Sequence, residues 1–236
     1  MASRKAASLG PQVSACAAVR PRCTRPALLV IFALVLAVPP TAWATDGIEP
    51  IGLSTQSMIR GGADVAVGDS ALDQINNPAT LPLAGRSFDL AGELLMPQSE
   101  WTGPIDSDRS TYRHIPLGHA GLSWPISDKV SLGLAFWSKS QLGSDFRMRY
   151  VMDPWTRRHV GADMRDFGFG LNAGFRVTDK LTIGAGLRTE LATSEFTSVR
   201  GPATVEFGRG WSAGGGFQLG AHYQLTPKLA LGVGYR

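Results

Sequence analysis

The stretch that decides the fold is Asp166-Phe-Gly-Phe-Gly-Leu-Asn-Ala-Gly-Phe-Arg-Val177. Phe167, Phe169, Leu171, Ala173, Phe175 and Val177 share one parity, and Asp166, Gly168, Gly170, Asn172, Gly174 and Arg176 share the other. Side chains of a strand alternate faces, so this is one apolar face backed by a polar or empty one. Residues 211–225 repeat the pattern, with Trp211, Ala213, Phe217, Leu219, Ala221, Tyr223 and Leu225 opposite Ser212, Gly214, Gly216, Gln218, Gly220, His222 and Gln224. Both runs exceed the five or six residues usual in soluble strands. The letters Gly168-Phe-Gly170-Leu-Asn-Ala173 match a dinucleotide fingerprint, but that motif needs a strand that ends and a helix that opens at it. Here the period of two runs straight through.

The same order appears in residues 181–191, 130–136, 229–235 and 88–96. Residues 113–124 are a further candidate, against which Pro116 counts because it removes a ladder donor. That makes about seven strands. A tight turn recurs between them: Trp124-Pro-Ile-Ser-Asp-Lys129, Phe175-Arg-Val-Thr-Asp-Lys180 and Tyr223-Gln-Leu-Thr-Pro-Lys228, each followed by a new apolar run. Longer connections lie at 97–112, 138–165 and 192–210. Short turns on one rim and long loops on the other are the asymmetry of outer-membrane barrels. In lipid a closed antiparallel sheet satisfies every backbone donor and acceptor. Trp124, Trp137, Phe175, Trp211, Tyr223 and Tyr235 stand at strand ends as candidates for interfacial aromatic girdles. A soluble sandwich also alternates, but its outer face carries large solvated side chains, whereas glycines fill the polar parity here. The expected class is all-β, a transmembrane antiparallel barrel.

The charge agrees. The chain of 236 residues carries +4 overall. Arg4, Lys5, Arg20, Arg22 and Arg25 precede any acidic residue, and from Thr45 onward 18 basic and 19 acidic residues leave −1. A near-neutral body excludes nucleic-acid binding by overall charge. The apolar run 27–38 is too short to span a bilayer. It follows basic residues and precedes Ala42-Trp-Ala44, so residues 1–44 read as a cleaved secretory signal, with an organelle transit peptide as the alternative. Cys16 and Cys23 are the two cysteines, both in this leader, so the mature chain has no disulfide or thiolate metal site.

Residues 45–85 do not alternate. Asp69-Ser-Ala-Leu-Asp-Gln-Ile-Asn-Asn77 suggests one short helix capped by Asp69, with Leu72 and Ile75 on one face and Pro78 as its stop. A segment this small must pack on something, and a barrel lumen is the nearest surface. Residues Met58-Ile-Arg-Gly-Gly-Ala-Asp-Val-Ala-Val-Gly-Asp-Ser-Ala-Leu-Asp-Gln-Ile-Asn-Asn-Pro-Ala79 resemble the N-terminal hatch of FadL/TodX-type outer-membrane transporters. The resemblance implies a 14-stranded barrel plugged by residues 45–85, passive uptake of long-chain fatty acids or other hydrophobic molecules, and a role in gating for Asn77, Pro78 and Ala79. It also implies lateral exit beside a kinked early strand. Residues 86–236 would supply about half the strands of such a barrel, so the expectation is the N-terminal part of a longer transporter, or an oligomer if the chain ends at Arg236. The expected partners are a hydrophobic small molecule, outer-membrane lipid and lipopolysaccharide, and the barrel assembly machinery.

By parity Arg176 and Arg188 point inward, either to hold a fatty-acid carboxylate or to join a charge lattice with Asp166 and Glu190. Residues 138–165 mix Leu142, Phe146, Met148, Tyr150, Met152 and Trp155 with Lys139, Arg147, Arg149, Arg157 and Arg158. They suit first capture of an amphipathic acid or contact with anionic lipopolysaccharide. His114, His119, His159 and His222 show no metal-ligand spacing, no Ser/His/acid set stands out, and no cofactor, metal or catalytic residue is expected. An adhesin or an outer-membrane lipid hydrolase is the alternative class.

Overall fold

A computed structural model describes residues 49–200 and 203–236. The leader, with its signal and cleavage site, lies outside the described residues. All seven expected strands are present. They are β1 (Ser87–Leu95), β4 (Ile115–Pro125), β5 (Val130–Tyr150), β6 (Asp153–Arg176), β7 (Leu181–Arg200), β8 (Ala203–Thr226) and β9 (Leu229–Tyr235), antiparallel in that order in one curled half-barrel sheet. A separate small hairpin, β2 (Glu100–Thr102) with β3 (Ser107–Arg109), interrupts the first long connection.

The repeated turn is explained by its hydroxyl. Ser127, Thr178 and Thr226 each accept the backbone N–H of the lysine two residues on, at 3.3, 3.2 and 3.3 Å. This local bond closes a tight turn without special backbone angles. The other rim differs from expectation. Residues 138–165 and 192–210 are not loops: β5 and β6 run 21 and 24 residues, β7 and β8 run 20 and 24. About 9–11 residues cross a bilayer, so roughly half of each strand extends beyond it as a β-ribbon.

The outer face of the lower sheet is apolar and bare. Phe88, Leu90, Leu134, Phe169, Leu171, Leu187, Phe217, Leu231 and Val233 are all exposed. A contiguous apolar surface of this kind has no stable place in water. Trp124, Phe175, Trp211, Tyr223 and Tyr235 also lie on this exposed side. Trp137 does not. It is 3% exposed, because it shares the inward parity of Ser131, Gly133 and Ala135, and so leaves the expected girdle.

Residues 50–85 pack on the concave face. Helix α1 (Thr55–Ile59) is capped by Ser54 and ends at Gly61-Gly62, both at positive φ. The expected helix over 69–77 is a 3-10 turn, Ala71–Ile75, capped by Ser70 in place of Asp69, since the Ser70 hydroxyl accepts the Leu72 N–H. Pro78 does not stop it. Asn77 is the cap of a second 3-10 turn, Pro78–Thr80, with Pro78 in its first position, where a missing N–H costs nothing. Helix α2 (Leu81–Ala84) follows and leads through Gly85 into β1.

Candidate functional site

The interior is a seat cut to the backbone of the inner segment. Asn77 is fully buried: its amide donates to the Val65 carbonyl at 2.7 Å and to the Ala221 carbonyl of β8 at 3.0 Å, while its oxygen accepts the Ala79 N–H at 3.0 Å. Thr182 of β7 donates to the Ala79 carbonyl at 2.7 Å. At several wall glycines the inner segment leaves no room for a side chain. A Cβ at Gly184 would collide with the Pro78 carbonyl and the Ala79 nitrogen, and one at Gly220 with the Asn77 side chain.

A buried amide network locks the centre. Gln74 donates to the Leu122 and Leu134 carbonyls, both at 3.1 Å, and accepts from Asn172 at 2.9 Å. Gln218 donates to Asn172 and to the Gln74 carbonyl, and accepts from Arg188 at 3.0 Å. Nothing in the local sequence pairs Gln74 with residues 98 and 144 positions away; the only signal was the inward parity of Asn172 and Gln218.

The two inward arginines hold the same segment. Arg176 donates to the Pro82 carbonyl at 2.8 Å, and Arg188 to the Ile75 carbonyl at 2.9 Å. Arg188 also lies 4.6 Å over the Trp137 ring and 3.4 Å from Glu190. The expected lattice therefore forms only in part. Glu190 pairs with Arg188 and with Lys139 at 3.1 Å, but Asp166 keeps a buried oxygen with no partner. Above this polar ring sits a cavity of about 190 Å³, lined in part by Ile51, Leu53, Ile75, Trp137 and Lys139.

Past the ring the wall reverses. The β6–β7 register runs one-to-one from Gly161↔Thr197 to Arg176↔Thr182, so the inward parity continues unbroken into Met164, Ala162, Ala192, Ser194 and Phe196. Across β5, Leu142 pairs with Met164 and Phe146 with Val160 on the same side. The outward parity now carries Arg165, Asp163, Thr193, Glu195 and Thr197. Asp163 binds Tyr112, Arg165 and Arg209 there, at 2.9, 3.0 and 3.4 Å. Leu142, Phe146 and Met148 thus share the inner parity of the ribbon, Met152 and Trp155 at its tip are exposed, and Arg147, paired with His159, stands on the outer parity.

The wall is also incomplete at one place. The β1–β4 ladder runs up to Ile115, but the β4–β5 ladder stops at His119↔Trp137. A bulge in β5 falls between Ser138 and Ser140, and Pro116 has no N–H to offer. The chains meet again where Thr111 donates to the Asp145 carbonyl at 3.3 Å and Ser110 accepts the Asp145 N–H at 3.1 Å. Between these points lies a window between the strands, beside a cavity of about 170 Å³ touched by Tyr112, Ile115, Pro116, Gln141 and Leu142.

The comparisons agree with this architecture. The family model of outer membrane transport proteins (OMPP1/FadL/TodX) matches residues 61–236. The chain belongs to that family. That family is described as one of outer membrane transport proteins. A crystal structure of a Pseudomonas aeruginosa FadL homologue superposes with a TM-score of 0.57 at 14% identity, covering 80% of this chain and 52% of the homologue. The chain therefore spans about half the length of that protein, and the likeness is one of fold. No curated protein matches the chain.

Proposed function

We propose that the chain belongs to a passive channel for hydrophobic molecules, long-chain fatty acids among them, across the outer membrane. Residues 50–85 act as its plug, and the window between β4 and β5 as its lateral exit. The observation that carries this reading is the reversal of polarity along the inner wall. An apolar inner face above a polar, plugged floor collects apolar cargo where the ribbons leave the membrane. Below the reversal the inner segment presses on the wall at Gly121, Gly174, Gly184 and Gly220, so cargo turns sideways. Asn77, Pro78 and Ala79 gate by holding the plug to β7 and β8; Arg176 and Arg188 are plug anchors and not carboxylate receptors, since both guanidiniums already donate to plug carbonyls.

The test is uptake of radiolabelled oleate by cells that depend on the full-length protein. A disulfide across the window, through Pro116→Cys and Gln141→Cys, is expected to abolish uptake when oxidised and restore it when reduced. Equal uptake in both states contradicts the lateral route.

A further inference from the structure

One pair of buried titratable side chains takes no part in seating the inner segment. His119 on β4 and Glu93 on β1 both face inward. His119 is opposite Ala91 and Glu93 opposite Leu117, so the two side chains are diagonal neighbours on one face. His119 Nε2 lies 3.6 Å from Glu93 Oε1, too far for a hydrogen bond. Neither imidazole nitrogen has a hydrogen-bond partner, nor does that carboxylate oxygen, although the two side chains are 0% and 9% exposed. Buried polar groups in folded proteins are normally paired, as Gln74, Asn172 and Gln218 are on the same inner face. The position of the pair is informative: His119 forms the last rung of the β4–β5 ladder, at the foot of the window. Above it on the inward parity come Leu117 and Ile115, both buried. The pair is a polar sill in an apolar frame.

We infer that His119 and Glu93 form a headgroup site that recognises a hydroxyl on otherwise hydrophobic cargo, such as a long-chain alcohol or a phenol, as it enters the window. The inference rests on the transport reading above. A neutral imidazole donates from one nitrogen and accepts at the other, and a carboxylate only accepts. A hydroxyl serves both side chains: its O–H donates to Glu93, and its oxygen accepts from the imidazole N–H facing it. An alkane satisfies neither group. An ionised carboxylate brings a second negative charge beside Glu93. A site built to hydrogen-bond a hydroxyl discriminates strongly against the analogue that lacks it.

The test compares initial uptake of radiolabelled dodecan-1-ol, dodecane and dodecanoate by cells making the full-length protein, with uptake by cells lacking it subtracted. The expected result is fastest protein-dependent entry of the alcohol. His119→Phe and Glu93→Leu each lower alcohol uptake relative to dodecane uptake by the same cells by about tenfold, the scale of one lost buried hydrogen bond. His119→Gln, which keeps a donor and an acceptor, retains the preference; with Glu93→Leu it carries the comparison if His119→Phe does not fold, as judged by heat-modifiable gel mobility. A wild-type alcohol-to-alkane ratio in folded His119→Phe or Glu93→Leu overturns the headgroup site while transport stands. No protein-dependent uptake of any probe overturns the transport reading itself.

Discussion

Strand β7 changes meaning halfway along. From Leu181 to Leu191 its outward residues are Ile183, Leu187 and Leu191 and its inward ones Thr182, Gly184, Gly186 and Arg188. From Ala192 on, the outward residues are Thr193, Glu195 and Thr197, and the inward ones include Ala192 and Phe196. The backbone is continuous and its parity against β6 never slips, while its ladder with β8 shifts by one residue between Ser194 and Phe196. In the proposed channel what changes is the surroundings: lipid outside and a polar inner segment below, water outside and apolar cargo inside above. Alternation alone says that a strand has two faces. Which face is apolar says what lies on each side, and in the proposed channel the reversal marks the edge of the membrane.

The difference can be broken from either half. The largest expected effect is in the lower half and depends on pH. Burial first, then the carboxylates of Asp64 and Asp69, push the Asp73 carboxyl from 3.8 up to about 7. The folded state then holds a proton that the unfolded chain gives up, so stability of the seated segment falls as pH rises from about 4 to about 7 and is level beyond. The full span is on the order of 4 kcal/mol. Protease protection of residues 50–85 against pH should show this slope, and Asp73→Asn should flatten it. Next, an arginine on the outward parity separates the halves directly. Leu187→Arg should cost about 2–4 kcal/mol and Glu206→Arg, at the exposed position opposite Thr197, about 0–1, read as folded fraction in lipid vesicles over a urea series. Equal costs would erase the distinction.

Smaller effects sharpen it. Asn77→Ala removes a helix cap and two carbonyl contacts, and should loosen the inner segment by about 2 kcal/mol in the same protection assay. Arg176→Ala removes one bond at the turn-side rim, to the Pro82 carbonyl. It should cost about 1 kcal/mol, seen as earlier release of the segment on heating, with the barrel transition unmoved.

Much of this was legible from the chain. The seven strands, their parity and the three tight turns follow from residues such as Phe167–Gly168 and Thr178-Asp-Lys180, where one local rule dominates. The family resemblance of residues 58–79 pointed to the inner segment. The ribbons were hidden because their polarity reverses: Leu142, Phe146 and Met164 face inward while Arg147 and Arg165 face out, which in one dimension looks like an irregular loop. Trp137 was misplaced because girdle candidates were chosen by nearness to a strand end, when inward parity decides. Ser70 displaced Asp69 as cap because the Asp69 carboxylate is engaged with Arg60 at 2.8 Å. The amide network, the arginine anchors and the window depend on pairings far apart in sequence, and Pro116 was the one local hint of the last.

The most direct measurement of the reversal uses the absence of cysteine beyond Cys23. Single cysteines at the outward positions 183, 187, 191, 193, 195 and 197 of the full-length protein carry nitroxides in outer-membrane lipid vesicles. Relaxation by oxygen should dominate up to Leu191, and relaxation by a water-soluble nickel chelate from Thr193 on. At the inward positions 192 and 196, oleate should protect the label from the chelate. A gradient without a switch, or oxygen-dominated relaxation through Thr197, would contradict the account.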